Sequence, residues 1–137
     1  MVTDLVKKHD SRDPFIIAKE LGIHIIFEPL GKINGYFNIM LDEKFIHINE
    51  NMDEHQQMFT ASHELGHALL HSDINAMFLV ENTYLSISEF ENEANAFAIQ
   101  LLISDDMVEE YKEFPSPKLA EMFSIKEELI EYRFKMK

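Results

Sequence analysis

Residues 51–71, NMDEHQQMFTASHELGHALLH, decide how the chain is read. Asn51 followed three residues later by Glu54 has the form of a capping signal. Met58, Phe59, Ser62, Leu65, Ala68 and Leu69 recur at helical spacing, so a long helix is expected from about Met52 to His71. Within it stands His63-Glu64-Leu65-Gly66-His67. Residues four apart share a helix face, so His63 and His67 can turn their imidazoles toward one ion. Neutral imidazole suits zinc, at about 2.0–2.1 Å per bond. Glu64, one position past the first ligand, is placed to take a proton from a water at that ion. Gly66 costs about 1 kcal/mol relative to alanine inside a helix. It is expected where something packs closely, the sheet being the candidate.

A catalytic zinc has three protein ligands and an open position, so a third donor is sought downstream. Ser86 with Glu89 reads as a capping box, and a helix follows to Leu102 with Phe90, Ala94, Phe97, Ala98 and Leu101 as its buried stripe. Glu89 is taken up by the cap and Glu93 reads as solvated. Glu91 lies beside the stripe, with Asn95 one turn further on the same face. That spacing suits a carboxylate ligand with an amide behind it that orients one of the histidines. The plain alternative for all three acids is an acidic helix start favoured by the macrodipole. The motif upstream decides for Glu91 as the third metal ligand.

Away from these helices the period changes. Residues 3–21 read as helix broken near Pro14, with Asp13 as cap and Gly22 as stop. Residues 23–27, 35–40 and 45–49 are β-favouring, and the last two form a hairpin about the turn at 41–44. Residues 72–85 read as a loop, with Tyr84 in it as a candidate oxyanion donor or, more simply, a partly packed aromatic. Ser104 caps a short helix to Lys112, and two more follow over 118–123 and 126–134. The expected fold class is α+β and zincin-like. A small, mainly antiparallel three-stranded sheet packs on the HExxH helix, and further helices run to the C-terminus. Residues 1–137 make one metallopeptidase domain with a short helical tail from about 104.

Composition narrows the function. A net charge of −13 argues against direct binding to nucleic acid, which needs a basic footprint. Cysteine is absent, which excludes disulfides and thiolate metal sites and fits a reducing compartment. No apolar stretch has the length of a membrane span, and residues 1–10 lack the apolar core of a signal peptide. The expectation is a cytoplasmic protein.

The quoted residues resemble the ImmA/IrrE family of zinc metallopeptidases. The likeness is carried by Ala18-Lys19-Glu20-Leu21-Gly22-Ile23, the Gly35-Tyr36-Phe37 strand, Ile46-His47-Ile48-Asn49, residues 61–71, Glu91-Asn92-Glu93-Ala94-Asn95-Ala96-Phe97-Ala98, and Leu119-Ala120-Glu121-Met122-Phe123. One departure stands at Ser104, where the family usually has a proline. It touches a helix start and not chemistry. The resemblance implies that Zn2+ is held by His63, His67 and Glu91, and that Glu64 is the catalytic glutamate. It also includes His71, which reads as a residue behind the ligands or as a helix cap. His24, His47 and His55 read as strand or surface histidines. The implied partner is a protein substrate, a helix-turn-helix repressor of a phage or mobile element, whose cleavage relieves repression. The alternative is a non-cleaving anti-repressor of the same fold, with zinc only structural.

Overall fold

The computed structural model describes residues 1–71 and 84–135, with side chains from residue 89 onward in the second stretch. Residues 72–83 of the expected loop lie outside the described residues, and the Ser86 cap lies outside the described side chains. Seven helices and three strands are present among the described residues. They are α1 (Val2–His9), α2 (Pro14–Glu20), β1 (His24–Glu28), β2 (Gly35–Met40), β3 (Glu43–Asn49), α3 (Glu54–Leu70), α4 (Tyr84–Leu102), α5 (Asp105–Tyr111), α6 (Ser116–Phe123) and α7 (Glu127–Lys135).

Local chemistry explains the boundaries. Asp10 closes α1 in the left-handed region, and Asp13 caps α2 by accepting from the Phe15 amide. The hairpin turns on Leu41 and Asp42, both at positive φ, which is the two-residue turn whose twist matches flanking strands. The cap of α3 is not Asn51 but Asp53, which accepts from the Gln56 amide while Gln56 reaches back to it. The Asn51 amide is already held by the Asn49 side chain in a local turn, so the helix starts two residues later.

The sheet order is β1-β3-β2. It is mixed, and this corrects the expected mainly antiparallel sheet. β2 and β3 form the antiparallel hairpin, Gly35 opposite Ile48. β3 also runs parallel to β1, Ile25 opposite Ile46, because residues 29–34 carry the chain past the central position before β2 begins.

Ile46 and Ile48 of β3, wholly buried, meet Ala61, Leu65 and Ala68 of α3, with α2 and the Phe97–Leu101 face of α4 closing the core. Ile99, on another face of α4, and Ile103, just past its end, pack with Leu119, Ile125 and Ile130 of the C-terminal segment, and Phe59 of α3 joins this second cluster. The C-terminal helices therefore share a core with α4. No helix among the described residues is long and apolar enough to cross a membrane.

Candidate metal centre

α3 and α4 pack together, joined by the pairs His63–Asn95 and His71–Glu93. The close approach occurs at Gly66. A Cβ there would lie 3.0 Å from Phe97 Cδ1 and 3.2 Å from Phe97 Cβ. The neighbour that demands glycine is thus α4 and not the sheet. The glycine that the sheet demands is Gly35, where a Cβ would meet the His47 carbonyl oxygen at 2.5 Å and Thr60 Cγ2 of α3 at 2.7 Å.

This packing brings His63, His67 and Glu91 together, with one potential ligand atom from each within 4.8 Å of the others. Glu91 spans both imidazoles, Oε2 at 2.8 Å from His63 Nε2 and Oε1 at 3.0 Å from His67 Nε2. The two Nε2 atoms are 3.1 Å apart. Two imidazole nitrogens on a tetrahedral zinc at about 2.0–2.1 Å stand about 3.3–3.4 Å apart. The donor chemistry agrees with a cation. If both Nε2 atoms carried protons for Glu91, those N–H groups would face each other across 3.1 Å. A cation satisfies both nitrogens and the carboxylate at once.

The other ring nitrogens are also engaged. His63 Nδ1–H donates to Asn95 Oδ1 at 2.8 Å, so the orienting amide expected at Asn95 falls behind His63. His67 Nδ1 lies 3.2 Å from His71 Nδ1, and His71 Nε2 lies 3.2 Å from Glu93 Oε2. His71 is the residue at the C-cap of α3, buried, with its ring edge-on to Phe90. Glu93 is exposed, as expected of a solvated acid, and is also its partner. Helical spacing alone does not name this pairing. Each four-residue step along α3 turns about 40°, so His71 drifts toward the flank of α4 opposite Glu91.

Glu64 is 8% exposed and stands outside the His-His-Glu group. Burial holds its pKa above the ordinary carboxylate value, with the Glu91 charge adding to it and the neighbouring histidines opposing. Glu91 shifts the other way, well below the usual range, through its hydrogen bonds with His63 and His67. For His63, burial pulls the pKa down, but the hydrogen bond to Glu91 and the charges of Glu64 and Glu91 raise it overall.

A cleft of about 540 Å3 opens beside the cluster. Its floor includes His63, Glu64, Glu91 and Asn95. One wall is Asn34, Gly35, Gln56, Phe59 and Thr60, and the other is Ser124, Ile125, Lys126 and Leu129. Nothing in the spacing of residues 124–129 points to this wall. Tyr84 opens α4 rather than lying in a loop, and its side chain is outside those described. His47 is a strand histidine but a buried one, stacked on Tyr36 and bonded to Asn38. His24 pairs with Glu43 at the surface and His55 is exposed.

The family model of the IrrE N-terminal-like domain, Peptidase_M78, matches residues 18–135. The chain belongs to the ImmA/IrrE family. Among its relatives, the uncharacterized immunity region protein 2 of Bacillus phage phi105 is 37% identical, over 93% of this chain and 83% of that protein. Metallopeptidase ImmA of Bacillus subtilis strain 168 is 30% identical, over 96% of this chain and 80% of that protein. Among solved structures, a Mycobacterium tuberculosis transcriptional regulator superposes with a TM-score of 0.58 at 14% identity, covering 88% of this chain and 46% of that one. The chain thus spans less than half of that regulator, and the likeness is one of fold.

Proposed function

We propose that this ImmA/IrrE family member is a zinc-dependent endopeptidase that cleaves a helix-turn-helix repressor of a phage or mobile element and so relieves repression. The observation that carries the reading is the convergence of His63, His67 and Glu91 in a cleft with Glu64 buried beside them. In this reading the three residues hold Zn2+ in a zincin-like arrangement on α3 and α4. The ion supplies polarisation of the scissile carbonyl and a lowered pKa for the attacking water. Glu64 takes the proton of that water on a carboxylate oxygen as the water oxygen bonds to the carbonyl carbon. It then passes the proton to the amide nitrogen as the C–N bond breaks. Its raised pKa improves it as a proton acceptor. Asn95 holds the His63 ring with Nε2 toward the ion. The cleft walls bind the polypeptide. The immunity-region and ImmA relatives support a repressor as substrate, and the net charge of −13 supports a protein rather than a nucleic-acid partner. A target bound to the chromosome places the enzyme in the cytoplasm.

The test is incubation of purified protein with zinc and the repressor encoded beside its gene. Wild type is expected to yield repressor fragments and Glu64→Gln none. Intact repressor with both, in a stable complex, would favour the second reading, an anti-repressor that binds without cutting. A three-residue donor set among the described residues, with a buried carboxylate beside it, favours cleavage, since a structural zinc takes four closed protein ligands. Metal analysis of His63→Ala tests the ligand set separately: a full zinc complement in that variant would remove His63 from it.

A further inference from the structure

Ligation by His67 leaves its second ring nitrogen with a fixed task. If Nε2 gives its lone pair to the metal, a neutral imidazole carries its proton on Nδ1. That N–H points at His71 Nδ1, 3.2 Å away, which must therefore be bare and accept. The proton of neutral His71 then sits on Nε2, which faces Glu93 Oε2 at 3.2 Å. Every nitrogen and oxygen from Glu93 to the cluster has one role, and the roles agree. Reversing either ring breaks the chain. With the proton of His71 on Nδ1, two N–H groups would meet between the rings and Glu93 would lose its donor.

The elements make this arrangement specific. The bond from the His71 amide to the His67 carbonyl, at 2.9 Å, carries the last turn of α3 through to His71. Phe90 fixes the plane of the His71 ring from α4, with centroids 4.4 Å apart. Glu91 and Glu93 lie on opposite flanks of the buried stripe of α4, so one helix faces the cluster with Glu91 and the far side of the histidine row with Glu93.

We infer that Glu93, acting through His71, is a positioning residue that fixes His67 in the tautomer whose Nε2 faces the metal. The inference rests on the proposed ligand role of His67. A carboxylate at the end of such a chain also raises the basicity of the ligating nitrogen. His71 is accordingly more than a helix cap, and Glu93 is more than an acid in the first turns of α4.

The test reads the protons directly. Long-range proton–nitrogen NMR on the zinc-loaded, 15N-labelled full chain separates protonated from bare ring nitrogens. The expected pattern is His67 protonated on Nδ1 and His71 protonated on Nε2 alone. Zinc affinity is then measured by competition with a chromophoric chelator. Glu93→Ala is expected to weaken binding about 10-fold, and His71→Ala by about 10- to 100-fold. Glu93→Gln, which keeps an acceptor oxygen, is expected to stay within about threefold of wild type. A His71 protonated on Nδ1, or a Glu93→Ala variant with wild-type affinity and wild-type tautomers, would overturn the inference. If wild type binds no zinc, the ligand assignment itself fails and this inference with it. Zinc bound with the wrong tautomer overturns only the positioning chain. Should Glu93→Ala not fold, the wild-type spectrum decides alone.

Discussion

His63 is held from α4 by two different residues through two different nitrogens: Asn95 at Nδ1 and Glu91 at Nε2. In the metal-free protein the second contact is an ion pair when the ring is protonated. Burial disfavours the charged ring, but Glu91 and Glu64 outweigh it and the pKa rises above the ordinary histidine value of 6.5. On the proposed ligand assignment, zinc must expel that proton. Zinc affinity is therefore expected to rise with pH and to keep rising above 6.5, where an unperturbed histidine would have levelled off. Competition titrations across pH check this, and a plateau already reached below 6.5 would contradict it. Asn95→Ala removes the acceptor for Nδ1–H and frees the ring to turn. The expected loss is about 10-fold or more in zinc affinity, with little change in the urea midpoint. At this scale much of the site is legible in the sequence, because helical spacing alone puts His63 and His67 on one face and Glu91 and Asn95 on another. Glu93 escapes that reading. Its partner is set by a drift of about 40° along a different helix, the angle by which the four-residue step from His67 to His71 misses a whole turn, and a drift locates a partner only once the helix pair is known.

Between the elements, Gly66 governs how closely α3 and α4 approach. Gly66→Ala adds helix propensity, about 1 kcal/mol in isolation. It also sets a methyl group 3.0 Å from the Phe97 ring, which is only 4% exposed and has little room to yield. The helices must separate by a few tenths of an ångström, and the oxygens of Glu91 and Asn95 move with α4. Stability is then expected to change by under about 1.5 kcal/mol, the overpacking cost partly offset by propensity. Zinc affinity is expected to fall several-fold. Calorimetric melting of the metal-free protein beside chelator competition separates the two effects. Unchanged affinity would mean that Phe97 absorbs the methyl group without moving α4. The sequence marks Gly66 as costly and therefore meaningful, but assigns the close contact to the sheet. Pattern gives the periodicity of a face and not the identity of what covers it. The sheet shows the same limit. Its strands and hairpin are readable from local chemistry, whereas the parallel pairing of β1 with β3 depends on where residues 29–34 lead the chain.

Across the whole molecule, both arginines of the chain serve the same helix end. Arg12 donates to the carbonyls of Gln100 and Leu101, each at 3.0 Å. Arg133 Nε donates to the Ile103 carbonyl at 2.9 Å, just past the end of α4, and its Nη2 pairs with Asp105. Both satisfy carbonyls left open at a helix terminus. They tie different parts to it, Arg12 the segment before α2 and Arg133 the last helix. Arg133 is 4% exposed, so Arg133→Ala leaves a buried carbonyl without its charged donor. The expected cost is about 1.5–3 kcal/mol, read from urea unfolding. Its second consequence separates it from Arg12. α7 carries Leu129, and the turn before it carries Ile125 and Lys126, which form the far wall of the cleft. On the proposed function, loosening α7 is expected to raise KM for the repressor severalfold at nearly constant kcat, since in that reading the wall binds polypeptide away from the reacting bond. Arg12→Ala removes donors from the same helix end without touching that wall, and is expected to lower stability while leaving KM near wild type. Equal KM changes in the two variants would show that α4 itself, and not the wall, transmits the effect.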